Sequence, residues 1–151
     1  MSRRGNGLVY LFILLGLAVV IAPLLSAMPS KGQRRKAAVR DQARHYGLRV
    51  SVRPPPEIPP RFRFVTDTEL VCYEKLLSKT LQLAGREVRF VRIGGVWQSI
   101  LDEPTTPDWV LQLPDGVLVA ELFERNVSIF WDERSGLEGL DQLNQAIESI
   151  G

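Results

Sequence analysis

Leu8 to Leu25 is a run of eighteen residues, LVYLFILLGLAVVIAPLL, without one charged side chain. As a helix it measures roughly 27 Å at ~1.5 Å per residue, and Ser26, Ala27 and Met28 extend it to the ~30 Å of bilayer hydrocarbon. The expectation is a single transmembrane helix over 8–28, preceded by a short tail over 1–7. A cleaved secretory signal has a shorter apolar core, about 7 to 15 residues, closed by a small-x-small site. Leu25-Ser26-Ala27 places a bulky side chain where a small one is required, so the run is read as a retained anchor.

Basic residues crowd the far side of this run. Lys31 to Arg53 holds eight Lys or Arg against one acidic residue, and only Arg3 and Arg4 precede the run. Cationic residues stay on the cytoplasmic side of a span, which predicts the N-terminus outside and the C-terminal part inside. The net charge of +2 hides a division: +10 through Arg63 and −8 from Phe64 onward. Lys31, Arg34, Arg35, Lys36, Arg40 and Arg44 are candidate contacts for lipid headgroups, each gaining up to ~1 kcal/mol near an anionic leaflet. No aromatic side chain is interleaved from Lys31 to Ala43, so the stacking that accompanies single-stranded nucleic-acid binding has no platform, and no nucleic acid is expected.

Ser30 followed by Gln33 fits a capping box, and Gly47 followed by Leu48 fits a helix stop. Together they predict a basic juxtamembrane helix over 30–47. Its thin apolar stripe, Ala37, Ala38, Val39, Ala43 and Tyr46, needs lipid headgroups or a partner to lie on. His45 is read as a favourable dipole partner at the helix C-terminus or a surface residue rather than a ligand or base. The span and the following Pro29-Ser30-Lys31-Gly32-Gln33-Arg34-Arg35-Lys36 resemble YajC, the accessory subunit of the bacterial preprotein translocase, and more generally small single-pass inner-membrane proteins. The likeness covers about the first fifty residues. In that family a Gly-Asp and a Gly-Gly turn follow soon after the helix, whereas here Gly94-Gly95 comes some fifty residues later. The resemblance implies a bacterial inner-membrane location, a cytoplasmic C-terminal domain and a non-catalytic accessory role.

Pro54 to Pro60 contains five prolines in seven residues, which predicts a rigid polyproline spacer of roughly 20 Å; strand and linker together fill 48–60. Two-residue alternation predicts strands at Leu48, Val50 and Val52, at Phe62 and Phe64, and across Thr68 to Leu77. Arg86 to Ile93, Gly94-Gly95 and Val96-Trp97 read as a hairpin, because consecutive glycines supply the positive φ of a type I′ turn. Leu118 to Phe123 and Val127 to Trp131 read as a second hairpin around Glu124-Arg125-Asn126, after a Pro114-Asp115-Gly116 turn. Ser135 and Glu138 form another capping box, and Leu137, Leu140, Leu143, Ile147 and Ile150 then share one helical face. The expected fold class is α+β: an anchor, a basic helix, and over 61–151 a small, mainly antiparallel sheet covered by a C-terminal helix.

Chemistry is sparsely provided. With one His and one Cys, nucleophile–base arrangements and Cys/His zinc sites have no materials. Gly94-Gly95 lacks a phosphate-binding frame, and Asp115, Glu121, Asp132 and Glu133 match no catalytic spacing. Cys72 reads as a small buried apolar group. No catalytic residue, metal or cofactor is expected. Two functions remain. The first is an accessory or adaptor subunit that binds an inner-membrane protein through its domain, through Trp97, Trp109 or Trp131, or through its span, where Ala18 and Ala22 form a small-xxx-small pair. The second is a lipid- or ligand-responsive module working through the polybasic segment. Membrane lipid and an inner-membrane protein are the expected partners, and no feature of the sequence sets an oligomeric state.

Overall fold

The computed structural model describes residues 4–78 and 87–150. The chain falls into two compact units, Met1–Arg34 and Arg35–Gly151.

The first unit is dominated by α1, Arg4–Ser26. Residues 4–7, expected as tail, already belong to the helix, while Met1–Arg3 lie outside the described residues. Once a helix exists, each added residue gains a hydrogen bond without a new nucleation cost, so the Leu8 run carries its N-terminal flank with it. Gly5–Ser26 has a mean hydropathy of 2.8 over its most apolar stretch, none of it buried, and at ~1.5 Å per residue it is long enough to cross a bilayer. Leu8 and Leu25, the expected bounds of the span, are each 60% exposed. The helix stops as Ala27 N–H donates to Pro23 O. The capping box then forms as expected: Ser30 N–H donates to Gln33 Oε1 at 2.9 Å and Gln33 N–H to Ser30 Oγ at 3.3 Å. It opens α2, Lys31–His45.

In the second unit α2 ends in a Schellman motif. Gly47, at φ +74°, lets its own N–H reach Arg44 O while Leu48 N–H reaches Ala43 O, each at 3.0 Å, satisfying two carbonyls the helix leaves unpaired. Six antiparallel strands follow: β1 (Arg49–Ser51), β2 (Val71–Leu76), β3 (Glu87–Ile93), β4 (Val96–Ser99), β5 (Val117–Phe123) and β6 (Asn126–Trp131). Their spatial order is β1-β2-β6-β5-β3-β4. Both expected hairpins are present. Gly94 and Gly95 turn β3 into β4 with φ of +57° and +82°, and Glu124 at +53° begins the β5–β6 turn. Arg86, from which the first hairpin was read, lies outside the described residues.

Two faces are buried by different means. On one, α2, the short α3 (Asp108–Leu111) and α4 (Gly136–Glu148) cover Tyr73, Phe90, Ala120, Ile129 and Trp131. The stripe of α2 therefore lies on its own sheet through Val39 and Ala43, both fully buried. The compact unit starts at Arg35 rather than at 61. On the other face Leu70, Cys72, Val91, Val119 and Phe130 meet Ile58, Phe62 and Phe64. The proline-rich stretch is thus a cover, not only a spacer, although Pro59 keeps the extended φ −54°, ψ 139° expected of it.

Three local expectations fail. Phe62 and Phe64 are not in a strand: Pro60–Phe62 is a 3-10 turn, closed by Arg63 at φ +48°, because Pro59 and Pro60 have no N–H to give a ladder. Val52 falls beyond β1 and is 66% exposed. At α4 the Ser135 hydroxyl makes no cap; it donates instead to Asp115 O at 2.7 Å. Leu137 is 49% exposed, and the buried stripe is Leu140, Leu143, Ala146 and Ile147.

Candidate functional site

Cross-strand neighbours Val88 of β3 and Leu122 of β5 form part of a cleft floor that Trp109 and Ile150 complete. Its position follows from the chain's turns. Ile100 N–H donates to Arg89 O after β4, and Pro107 then occupies the cap position of α3, where its fixed φ suits a helix start. One turn of helix suffices to press Trp109 and Val110 against the sheet. Gln142 Nε2 donates to Gln112 O at 2.9 Å, tying α4 to the end of α3, and brings Ser149 and Ile150 to the opposite wall.

The resulting cleft is open and holds about 520 Å³, within the ~300–1,000 Å³ of ligand sites. Glu103, Thr105, Asp108, Gln112 and Ser149 line its polar part. An adjoining hollow is walled by Glu87, Leu101, Asp102, Glu103 and Pro104. Among the described residues neither lining contains a Lys or Arg. Glu87 pairs with Arg89, and exposed Asp102 lies 3.8 Å from Arg61. No described cation pairs with Glu103 or Asp108, so the rim carries negative charge above an apolar floor.

No family model matches the chain, no curated protein matches it, and no solved structure matches it.

The three tryptophans expected at a partner surface are distributed unequally. Trp131 is fully buried, edge-on to Tyr73 at 5.4 Å, with its indole N–H donating to Asp115 O; it is core. Trp109 is only 7% exposed, a core side chain that also floors the cleft. Trp97 is half-buried with the Arg92 guanidinium 5.6 Å from its ring. Composition alone does not separate these roles, since all three indoles favour burial with one polar edge satisfied.

The basic residues also divide. Lys31, Arg34 and Lys36 are exposed, and Arg44 pairs with Asp41 on the surface of α2. The exposed Arg35 lays its guanidinium where a Cβ on Gly136 would stand, 2.6 Å away. Arg40 is removed from the lipid-contact set. Its Nε and Nη2 donate to the two oxygens of Glu133 at 2.7 and 2.8 Å, and the Glu133 side chain is fully buried. Tyr73 Oη donates to the same carboxylate at 2.7 Å. Burial, and then the hydrogen bond to Glu133, push the Tyr73 hydroxyl well above its ordinary range, which keeps it a donor. Next to this triad Asp132 accepts from Arg134, and a Cβ on Gly116 would stand 2.0 Å from Asp132 Oδ1. The sequence signal missed here is the pairing of one internal Arg of α2 with two acidic residues directly after the apolar run Ile129-Phe130-Trp131.

Cys72 is buried, and burial raises its thiol to about 11. A protonated, enclosed thiol is a poor nucleophile. Among the described residues no group of three or more His, Cys, Asp or Glu converges as a metal site.

Proposed function

We propose that the chain is a non-catalytic, membrane-anchored accessory or adaptor subunit of a bacterial inner-membrane complex. Its N-terminus is periplasmic, its folded unit is cytoplasmic, and it binds a partner protein through that unit or its span. The observation that carries this reading is α1: from Gly5 to Ser26 an apolar helix without a charge or a buried residue, joined within a few residues to a basic segment and then to a folded unit. Apolar side chains exposed along a whole helix would aggregate in water and are at rest in lipid.

The buried and half-buried charges support a non-catalytic reading, since they are tied to one another: Arg40 to Glu133, Arg53 to Glu74, and Arg89 to Glu121. Groups held in such pairs position elements rather than exchange protons with a substrate. The YajC-like layout of the first fifty residues points the same way. A lipid-responsive role would rest on Lys31, Arg34, Arg35, Lys36 and Arg44, without Arg40.

Photo-crosslinking of the intact protein in native membranes, with the probe placed along α1 and around the cleft, tests the reading. One or a few membrane proteins recovered in fixed ratio are the expected result; crosslinks to lipid alone would overturn it. A fluorescent-protein fusion after Gly151 should fluoresce in the cytoplasm, and a periplasmic alkaline phosphatase readout at that position would reverse the topology.

A further inference from the structure

The cleft at Trp109 combines an apolar floor with a rim that, among the described residues, is acidic. Val88, Trp109 and Leu122 are buried and Ile150 is half-buried, so the site suits bulky apolar side chains rather than a flat surface. Glu103 and Asp108 stand over that floor with no described cationic partner, whereas Glu87 and Asp102 of the adjoining hollow are matched by Arg89 and Arg61. An occupant must therefore present an apolar side chain with positive charge next to it. A free cation would ignore the floor, and a neutral apolar ligand would leave the rim unmatched.

We propose that this cleft binds an extended segment of another membrane protein in which bulky apolar residues stand beside Lys or Arg. The inner-leaflet end of a membrane span has this composition, because apolar residues of the span give way there to retained cationic ones. The inference rests on the adaptor reading and names the chemistry of its partner. Thr105, exposed on the same lining, and Gln112 supply further polar contact, and Trp109 reports occupancy through its indole.

The test uses the full chain in neutral phosphatidylcholine nanodiscs, so that a basic peptide has no anionic lipid to bind. Three six-residue probes are titrated by calorimetry and by the Trp109 indole resonance: Lys-Lys-Leu-Phe-Lys-Lys, the same core flanked by Glu, and Lys-Lys-Ser-Gly-Lys-Lys. The first should bind and shift the Trp109 signal, and the other two should bind at least about tenfold more weakly. Glu103→Lys with Asp108→Lys should weaken the first probe about tenfold. Because Asp108 opens α3, Thr105→Lys provides a second variant that leaves the helix start intact and should weaken binding severalfold. Absence of binding, or equal binding to both variants, overturns the proposal. So does self-association of the protein that the same variants abolish, since the cleft would then belong to a second copy. Crosslinked membrane partners with no peptide binding here would leave the adaptor reading standing and remove this site alone.

Discussion

One face of the sheet buries Tyr73, Phe90, Ile129 and Trp131 under three helices, whereas the other buries Cys72, Val91, Val119 and Phe130 under a proline-rich strip. The helical cover contributes large side chains of its own, Leu140, Leu143 and Ile147, all fully buried. The strip contributes only half-buried Ile58, Phe62 and Phe64. Beyond its reach that face becomes polar: Glu74, Ser128, Glu121 and Arg89 lie opposite one another on four successive strands. Arg53 joins Glu74 and Ser128, and Arg89 joins Glu121 and Glu87. The lesson is that a sheet can be closed on one side by packing and on the other by a stiff extended segment that loses little entropy on docking.

The strongest test of that contrast is Leu143→Ala, which should cost about 3 kcal/mol or more by leaving a cavity under the helical cover. Urea unfolding in neutral micelles, followed by near-ultraviolet circular dichroism, would measure it. Glu133→Ala should cost about 3 kcal/mol, because it strands the Arg40 charge and the Tyr73 hydroxyl together. The double variant with Arg40→Met should recover part of that loss. Phe62→Ala on the opposite face should cost about 1 kcal/mol, as its side chain gives up only half its surface. A loss equal to that of Leu143→Ala would end the distinction between the faces. Smallest is Glu121→Gln, about 0.5 kcal/mol and reduced further by salt, since the polar row is partly solvated.

The thiol sharpens the comparison from another direction. Cys72 is raised from 9.0 to about 11 by burial. A group whose folded-state pKa is raised contributes stability that is complete below its unfolded value and is lost as pH climbs through the folded one. Stability should therefore decline between about pH 9 and 11. Cys72→Ala should remove the thiol's share of that decline and leave the share of Tyr73, which acts in the same direction. Native Cys72 should resist a thiol reagent at pH 8 that labels it fully in urea.

The elements that sequence reveals well are those whose signal is local. Gly94-Gly95, the Gly47-Leu48 stop and the Ser30-Gln33 box depend on residues within a few positions of one another, and each forms where it was expected. The Ser135 box has the same spacing, yet it yields to Asp115 O, twenty positions away, a competitor that only the fold brings near. For a similar reason the sequence offers Val39 either lipid headgroups or a partner and assigns Arg40 to lipid: their neighbours in the fold, the sheet and Glu133, are distant in sequence, the carboxylate by ninety-three positions. The cleft was the least legible feature. Trp109 could be named from composition, but Val88, Leu122, Glu103 and Ile150 converge on it only through the strand order.

Molecules confined to a bilayer meet one another at raised effective concentration and in restricted orientation, conditions under which an unpaired strand edge recruits its neighbours into ribbons. Of the two outer edges, β4 and β1, β1 is only three residues long and is followed almost at once by Pro54-Pro55-Pro56. Residues without an amide hydrogen cannot prolong a ladder. The proline-rich segment that shelters the sheet's second face thus also closes this edge to a further strand.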